Sequence, residues 1–309
     1  FSLEHINLWV IEARDHWVLV DTGINTPQTR ELWAQIDEGP LAGKPVASVL
    51  CTHMHPDHMG LAGWLCERHG VSLHMTRGEY LYGRVLCQDA PGAPPESAIE
   101  FYRAAGFSDG ALGHYTRTFG MYAHAVAPPP RDYVRLVEGQ RLSLAGREWH
   151  VLIGRGHSPE HACLYCPQLQ VVIAGDQILP SITSNVSVWP TEPEANPLEE
   201  WLASCASLRA ELPADTLVLP SHGMPFYGAH TRLTHLIEHH KAALDKLYEA
   251  CRESRRVLDT FEVLFSRPIE GGEKTIATGE ALAHLRHLQR RGLVRARRDE
   301  AGTDWYAQA

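Results

Sequence analysis

The 309-residue chain has no long uncharged apolar run, so nothing in it reads as a membrane span. It also lacks a surplus of positive charge. Its 28 Lys and Arg face 37 Asp and Glu, a net charge of −9. A dedicated nucleic-acid binder needs a basic face for phosphates, and this balance argues against one. Cysteine is sparse: seven residues, an odd and scattered count, with no disulfide framework. That usage suits reduced thiols in the cytoplasm. Cys163 and Cys166 form a lone Cys-x-x-Cys inside an apparent strand. Positions i and i+3 of a strand face opposite sides, and no second pair exists, so the reading is structural rather than a zinc knuckle. No internal repeat or low-complexity tract is present. The chain begins at Phe1 rather than Met, as expected of a trimmed N-terminus that a leader could have preceded.

What is abundant is histidine, with 19 residues, several of them clustered. Histidine is the commonest metal ligand, so the clusters carry the first question. Around them the chain alternates short apolar runs with helical patterns. Residues 17–22, 46–51 and 71–75 read as strands, and 29–36 and a segment around Leu61, Trp64 and Leu65 as helices. From 76 to 131 strand signals vanish. Prolines 91, 94, 95 and 128–130 punctuate a helical, aromatic-rich insertion, which either forms a lid over a pocket or only packs on the scaffold. Strands resume at 149–153, 162–166, 171–174 and 216–219. Asn196, Pro197 and Glu199 predict a capping box opening a helix, and 231–251 a long helix. The tail predicts helices over 258–265 and 278–291, the second capped by Thr278 and stopped by Gly292, then a hairpin around Ala301 and Gly302. Two helices and a two-stranded wing are winged-helix-like. The organisation expected is a catalytic domain over 1–230, with the 76–131 insertion, and a long helix plus small module over 231–309.

The chemistry concentrates in Thr52-His53-Met54-His55-Pro56-Asp57-His58, directly after a buried strand. Three imidazoles and a carboxylate within six residues have little structural use, and both types suit Zn²⁺ and similar ions. Three further metal-capable residues follow strand ends: His157 in Gly-His-Ser-Pro, Asp176 in Gly-Asp and His222 in Ser-His-Gly. Loops at strand ends are where α/β architectures place function.

Taken together, H-x-H-x-D-H, then G-H-S-P, then G-D, then S-H-G resembles the metallo-β-lactamase superfamily over roughly residues 1–230. Asp21-Thr22-Gly23 matches an early strand-end motif of that family. The resemblance implies an α+β fold, an αββα sandwich with metals at one edge. It implies one ion held by His53, His55 and His157, a second by Asp57, His58 and His222, and Asp176 bridging both. A bridging carboxylate can hold two cations about 3.5–4 Å apart, and a water they share ionises near pH ~7. The resulting hydroxide would attack a carbonyl or phosphoryl centre, with Asp57 orienting it or taking its proton. Asp21 is expected to brace a ligand loop from behind. Glu160 departs from the glycine common in this family, which leaves open whether it faces the pocket. His161 either supports a ligand or packs under the loop.

The motif names the reaction and not the substrate. The Asp57-containing pattern is similar to the glyoxalase-II-like branch rather than to true β-lactamases. The tail is similar to the lactamase-β-2-like group, which includes polyketide thioesterases and an endoribonuclease. The expected substrate is a small acyl thioester or ester, with a ribonuclease, phosphodiesterase or lactonase as alternative. The arginines at 286, 290, 291, 295, 297 and 298 would meet phosphates in that alternative, or form a solvated face. Zinc is the expected metal, with iron or manganese as alternatives. Asn185 and Tyr227 are candidate substrate contacts, His230, His235, His239 and His240 lie on or beside the long helix, and the module could instead support a homodimer.

Overall fold

The computed structural model describes residues 5–89 and 92–309; Phe1 and Pro91 lie outside them. Strands β1 (Trp9–Glu12) and β2 (Trp17–Val20) form an antiparallel pair. Helix α1 (Pro27–Glu38) follows, started by Thr26, whose side chain accepts the Thr29 N–H. Then come β3 (Val46–Leu50), the one-turn α2 (Pro56–Met59), α3 (Ala62–His69) and β4 (Leu73–Met75). The insertion supplies α4 (Arg77–Gln88), α5 (Glu96–Ala104), α6 (Asp109–Thr118) and α7 (Tyr122–Ala125). A short β5 (Val134–Arg135) completes the first sheet, ordered β1-β2-β3-β4-β5 and parallel from β2 onward.

The second sheet uses β6 (Arg141–Leu144), β7 (Arg147–Gly154), β8 (His161–Cys166) and β9 (Val171–Gly175). After α8 (Pro197–Glu211), β10 (Leu217–Pro220) joins β9 in parallel, giving the order β10-β9-β8-β7-β6. Strands β5 and β6 were not expected from the sequence. They are short, polar and largely exposed, so they carry no apolar alternation to read.

Period-two alternation decides which face each residue takes. Val18, Val20, Trp149, Val151, Ile153, Ala162, Leu164 and Cys166 fill the space between the two sheets. Their neighbours Leu19, Leu152 and Cys163 point the other way, under the helices. Trp33, Met59 and Leu65 cover the first sheet, and Trp201, Leu208 and Leu233 the second. The fold is therefore an αββα sandwich, and Cys163 and Cys166 lie in different layers.

The long helix α9 (Ala229–Ala250) leads to β11 (Arg255–Arg256), a 3-10 turn at Leu258–Thr260 and α10 (Phe261–Leu264). Helix α11 (Glu273–Arg290) and the strands β12 (Val294–Arg298) and β13 (Asp304–Gln308) complete the chain. The expected hairpin is thus part of a three-stranded antiparallel sheet, β11-β13-β12. Helix α11 begins five residues before Thr278, which is buried in its interior and caps nothing. Asn196 stands at the N-cap of α8, yet its side chain makes no capping bond. Glu199 is drawn instead towards His287 on α11, at 3.3 Å. Ala281, Leu285 and Tyr306 share one core with Trp201 and Leu236, so this region is packed against the sandwich rather than tethered to it.

A histidine pair sits in that shared core. His240 Nδ1 lies 3.2 Å from His284 Nε2, and His284 Nδ1 donates to the Glu280 carbonyl at 2.8 Å. Burial, then His284 and His239, holds His240 down to about 3, and burial holds His284 down to about 4, with His239 and His287 also acting on it. Both rings are neutral in the fold, whereas in the unfolded chain they titrate near 6.5. The unfolded state thus binds more protons between about pH 6.5 and 4, and stability falls as pH falls through that window. Urea unfolding across this range should show a shallower dependence in His284→Gln than in wild type. Identical slopes would mean the pair does not contribute.

Candidate metal centre

The seven sequence candidates converge at one edge of the sandwich. His53 and His55 lie on the loop leaving β3. Pro56 opens α2, which carries Asp57 and His58. His157 sits between β7 and β8, Asp176 just after β9 and His222 just after β10. Two groups of donor atoms form, each within a sphere that one cation can occupy: His53, His55, His157 and Asp176, and then Asp57, His58 and His222. Asp176 faces both. Its Oδ2 is 3.5 Å from His157 Nε2, and its Oδ1 is 3.4 Å from His58 Nε2 and 3.5 Å from His222 Nε2. Asp57 Oδ2 lies 3.3 Å from His222 Nε2 and 3.6 Å from His58 Nε2.

The imidazoles are held from behind. Asp21 Oδ2 accepts His58 Nδ1–H at 2.8 Å, while Oδ1 accepts the Thr52 N–H at 2.7 Å. Asp21 adopts φ 63°, a left-handed conformation uncommon outside glycine that turns the chain at the end of β2. His157 Nδ1 donates to the Asn185 carbonyl and His222 Nδ1 to the His5 carbonyl, both at 2.7 Å. Each such bond places a proton on Nδ1 and turns Nε2 towards the cluster. Burial opposes charging these rings, but the facing carboxylates hold His58 well above and His222 above its ordinary value, so a proton on Nε2 and a cation would compete there. His161 Nε2 accepts the Asp176 N–H at 3.1 Å, so this residue supports the loop of Asp176. A Cβ on Gly175 would clash with the same nitrogen, which explains the glycine there.

The cluster fits a divalent cation. His58 Nε2, His222 Nε2 and Asp176 Oδ1 are buried, point at one another and have no hydrogen-bond partner. Buried polar atoms are rarely left so without a ligand to satisfy them. Burial pushes Asp176 and Asp57 up, but His58 and the neighbouring histidines outweigh it, and both carboxyls sit well below the usual range. Burial holds His53 well down and His55 down to about 3, so both present lone pairs.

Glu79 is a participant that the sequence pattern did not reveal. On α4 it is fully buried, with Oε2 accepting Met54 N–H at 2.9 Å and Oε1 accepting Glu160 N–H at 2.7 Å, so one carboxylate ties the loop of His53 and His55 to the loop of His157. Its signal in the sequence is a single acid in the first turn of a helix, which is common for other reasons. Glu160 itself bonds the Gly78 N–H at 2.7 Å and is not among the residues that line the cavity.

That cavity, about 640 Å³, opens from the centre and falls within the range of small-molecule sites. Tyr82, Leu86 and Tyr122 of the insertion form one wall, Leu179, Ile182 and Trp189 another, and Leu264, Phe265 and Ile276 a third. Only part of the insertion therefore walls it. Tyr102, Phe107 and Leu112 form their own cluster, packed with Phe101 and Tyr115. Asn185 and His239 line the cavity. Tyr227 does not: it is 71% exposed, because the bridge of Phe226 to Val218 turns the next side chain outward. His230 bonds the Leu212 carbonyl. Of the tail arginines, Arg286 and Arg290 engage Glu194, and Arg298 engages Asp304.

Comparison with known proteins agrees with the geometry. The profile of the Metallo-beta-lactamase superfamily matches residues 2–222, and that of the Metallo-beta-lactamase-like C-terminal domain matches 244–309. A Beta-lactamase domain protein from Burkholderia ambifaria has the same fold, with TM-score 0.86 and 39% identity, covering 100% of this chain and 90% of the other. A linear primary-alkylsulfatase from Pseudomonas sp. is 27% identical over 71% of this chain and 42% of its own. An atrochrysone carboxyl ACP thioesterase from Aspergillus fumigatus is 22% identical over 89% and 48% respectively. The chain spans less than half the length of these two relatives.

Removing the brace behind His58 should weaken the centre without touching a donor. Asp21→Ala is expected to bind divalent zinc roughly 10- to 100-fold more weakly than wild type, as measured against a chelating dye. Unchanged affinity would mean that Asp21 does not orient His58.

Proposed function

This chain belongs to the metallo-beta-lactamase superfamily, and on that premise we propose that it is a binuclear metal-dependent hydrolase of small acyl thioesters or esters. The observation that carries the binuclear reading is Asp176, whose two oxygens face two separate donor groups. His53, His55 and His157 would hold one ion, Asp57, His58 and His222 the other, with Asp176 shared. Ions bound there would supply Lewis acidity and a water acidic enough to ionise near neutral pH. Zinc is the expected ion for so imidazole-rich a set, with iron and manganese as alternatives.

The protein's own groups supply the rest. Asp57 is the most exposed carboxylate of the cluster, with 32% of its side chain accessible, and it lines the cavity. It can accept a hydrogen bond from an attacking water and orient it. The apolar walls seat the acyl arm and exclude bulk water, which strengthens every polar contact at the reacting carbonyl. The thioesterase relative supports an acyl substrate. The alkylsulfatase relative supports a second reading, a sulfate ester, whose alkyl arm the same walls would suit. The pairing of Arg286, Arg290 and Arg298 with nearby acidic residues favours small molecules over nucleic acid. Seven cysteines, all free thiols, fit the cytoplasm.

Thiol release from a panel of acyl-coenzyme A and acyl-glutathione thioesters tests the reading. The metal-loaded wild type should hydrolyse at least one. His55→Ala and Asp176→Ala should lose metal, and lose activity by more than the roughly 10- to 100-fold that a missing ligand brace costs. A metal-loaded wild type inert towards every thioester and ester would sink the acyl reading. Primary alkyl sulfates, lactones and single-stranded RNA would then be tried.

A further inference from the structure

The C-terminal region does more than close the cavity; it places a carboxylate inside it. Helix α11 lies flush on the loop that follows Asp176. The Val188 N–H donates to the Gly279 carbonyl at 3.0 Å, and a Cβ on Gly279 would fall 2.7 Å from the Ser187 Cβ. Ser187 Oγ donates to Asn185 Oδ1 at 2.6 Å, within reach of the Ile276 carbonyl at 3.3 Å. This close docking fixes Glu280, the next residue, in the cavity wall, where its Oε2 accepts Asn185 Nδ2–H at 3.2 Å. Among the described lining residues, Asp57, Asp176 and Glu280 are the carboxylates, and Glu280 alone stands outside the donor cluster.

We propose that Glu280 is a specificity-determining residue: it accepts a hydrogen bond from an uncharged hydroxyl on the substrate's acyl chain and rejects chains that carry a carboxylate there. The inference rests on the acyl-hydrolase reading for the substrate's identity. Glu280 is half-buried in a cavity whose lining is mainly apolar. A chain carboxylate would lose its water and meet a like charge, and both effects disfavour it. Among the described lining residues outside the donor cluster, Arg267 and His239 can carry positive charge, and both are weakened for that role. The Arg267 guanidinium is engaged by both oxygens of Glu273, at 2.8 and 2.9 Å, and burial holds His239 below its ordinary value, towards the neutral form. Burial, only partly opposed by the Asn185 bond, pushes the Glu280 carboxyl up to about 7. The ionised form, which accepts from a hydroxyl and repels a chain carboxylate, therefore prevails above about pH 7, and the rates are compared at about pH 8.

The test compares three acyl-coenzyme A thioesters of equal chain length, one plain, one with a mid-chain hydroxyl and one ending in a carboxylate. The metal-loaded protein is used, with Glu280→Gln and Glu280→Leu beside wild type. Wild type should prefer the hydroxy chain over the carboxy chain in kcat/KM. Glu280→Gln should shrink that preference at least about tenfold, mainly through KM, and Glu280→Leu should also lose the advantage of hydroxy over plain. Displacement of the uncharged dye Nile red by the corresponding free carboxylic acid, hydroxy acid and dicarboxylic acid, which share one head group, gives the same comparison without turnover. Loss of the binding preference in Glu280→Gln supports the proposal even if no thioester is hydrolysed, in which case only the acyl-hydrolase reading falls. A hydroxy-to-carboxy ratio unchanged within about twofold in both variants, by rate and by dye, overturns it.

Discussion

The carboxylate of Asp176 stands between two groups of imidazoles, and much of the surrounding structure serves to keep it ionised and in place. A buried carboxylate is costly unless opposite charge or hydrogen bonds offset the lost water. Here His58 and its neighbours supply the electrostatic offset, and the Asp176 N–H is fixed by His161. The glycine before it leaves room for that imidazole. Asp21, one strand away, holds His58 in turn, at the cost of a left-handed backbone. Each element of the edge thus constrains the next, from β2 through the loop after β3 to the end of β9.

The cavity is a second consequence of the same edge. Its walls come from three parts of the chain that are remote in sequence: the insertion, the loop after Asp176 and the region after α9. Arg232 on α9 holds the middle part from one side through the carbonyls of Leu179 and Ile182, and α11 holds it from the other through Val188. The same loop offers the Asn185 carbonyl to His157. The C-terminal region therefore bears on the centre through packing and hydrogen bonds, although it contributes no donor atom.

Much of the centre was legible in the sequence because its donors are chemically unusual and sit at strand ends. Three histidines and an aspartate in six residues have few structural uses, and His157, Asp176 and His222 each follow an apolar run. The layers were legible too, since Trp149, Val151 and Ile153 alternate with residues of the other face. Local signals misled where tertiary packing overrode them. Thr278 looks like a helix start and is buried mid-helix; Glu199 looks like half of a capping box and leans towards His287. Tyr227 follows His222 closely along the chain and still faces solvent.

The sequence by itself determined the sandwich and marked the candidate donors, because ligand chemistry depends on residue type and strand burial on a period of two. The tertiary structure alone decided which oxygen of Asp176 faces which histidines, that Glu79 joins two loops, and that Glu280 enters the cavity. These are contacts between residues tens to more than a hundred positions apart, and no local pattern encodes them. Packing fixes them, since Gly279 must lie against Ser187 before Glu280 can reach Asn185.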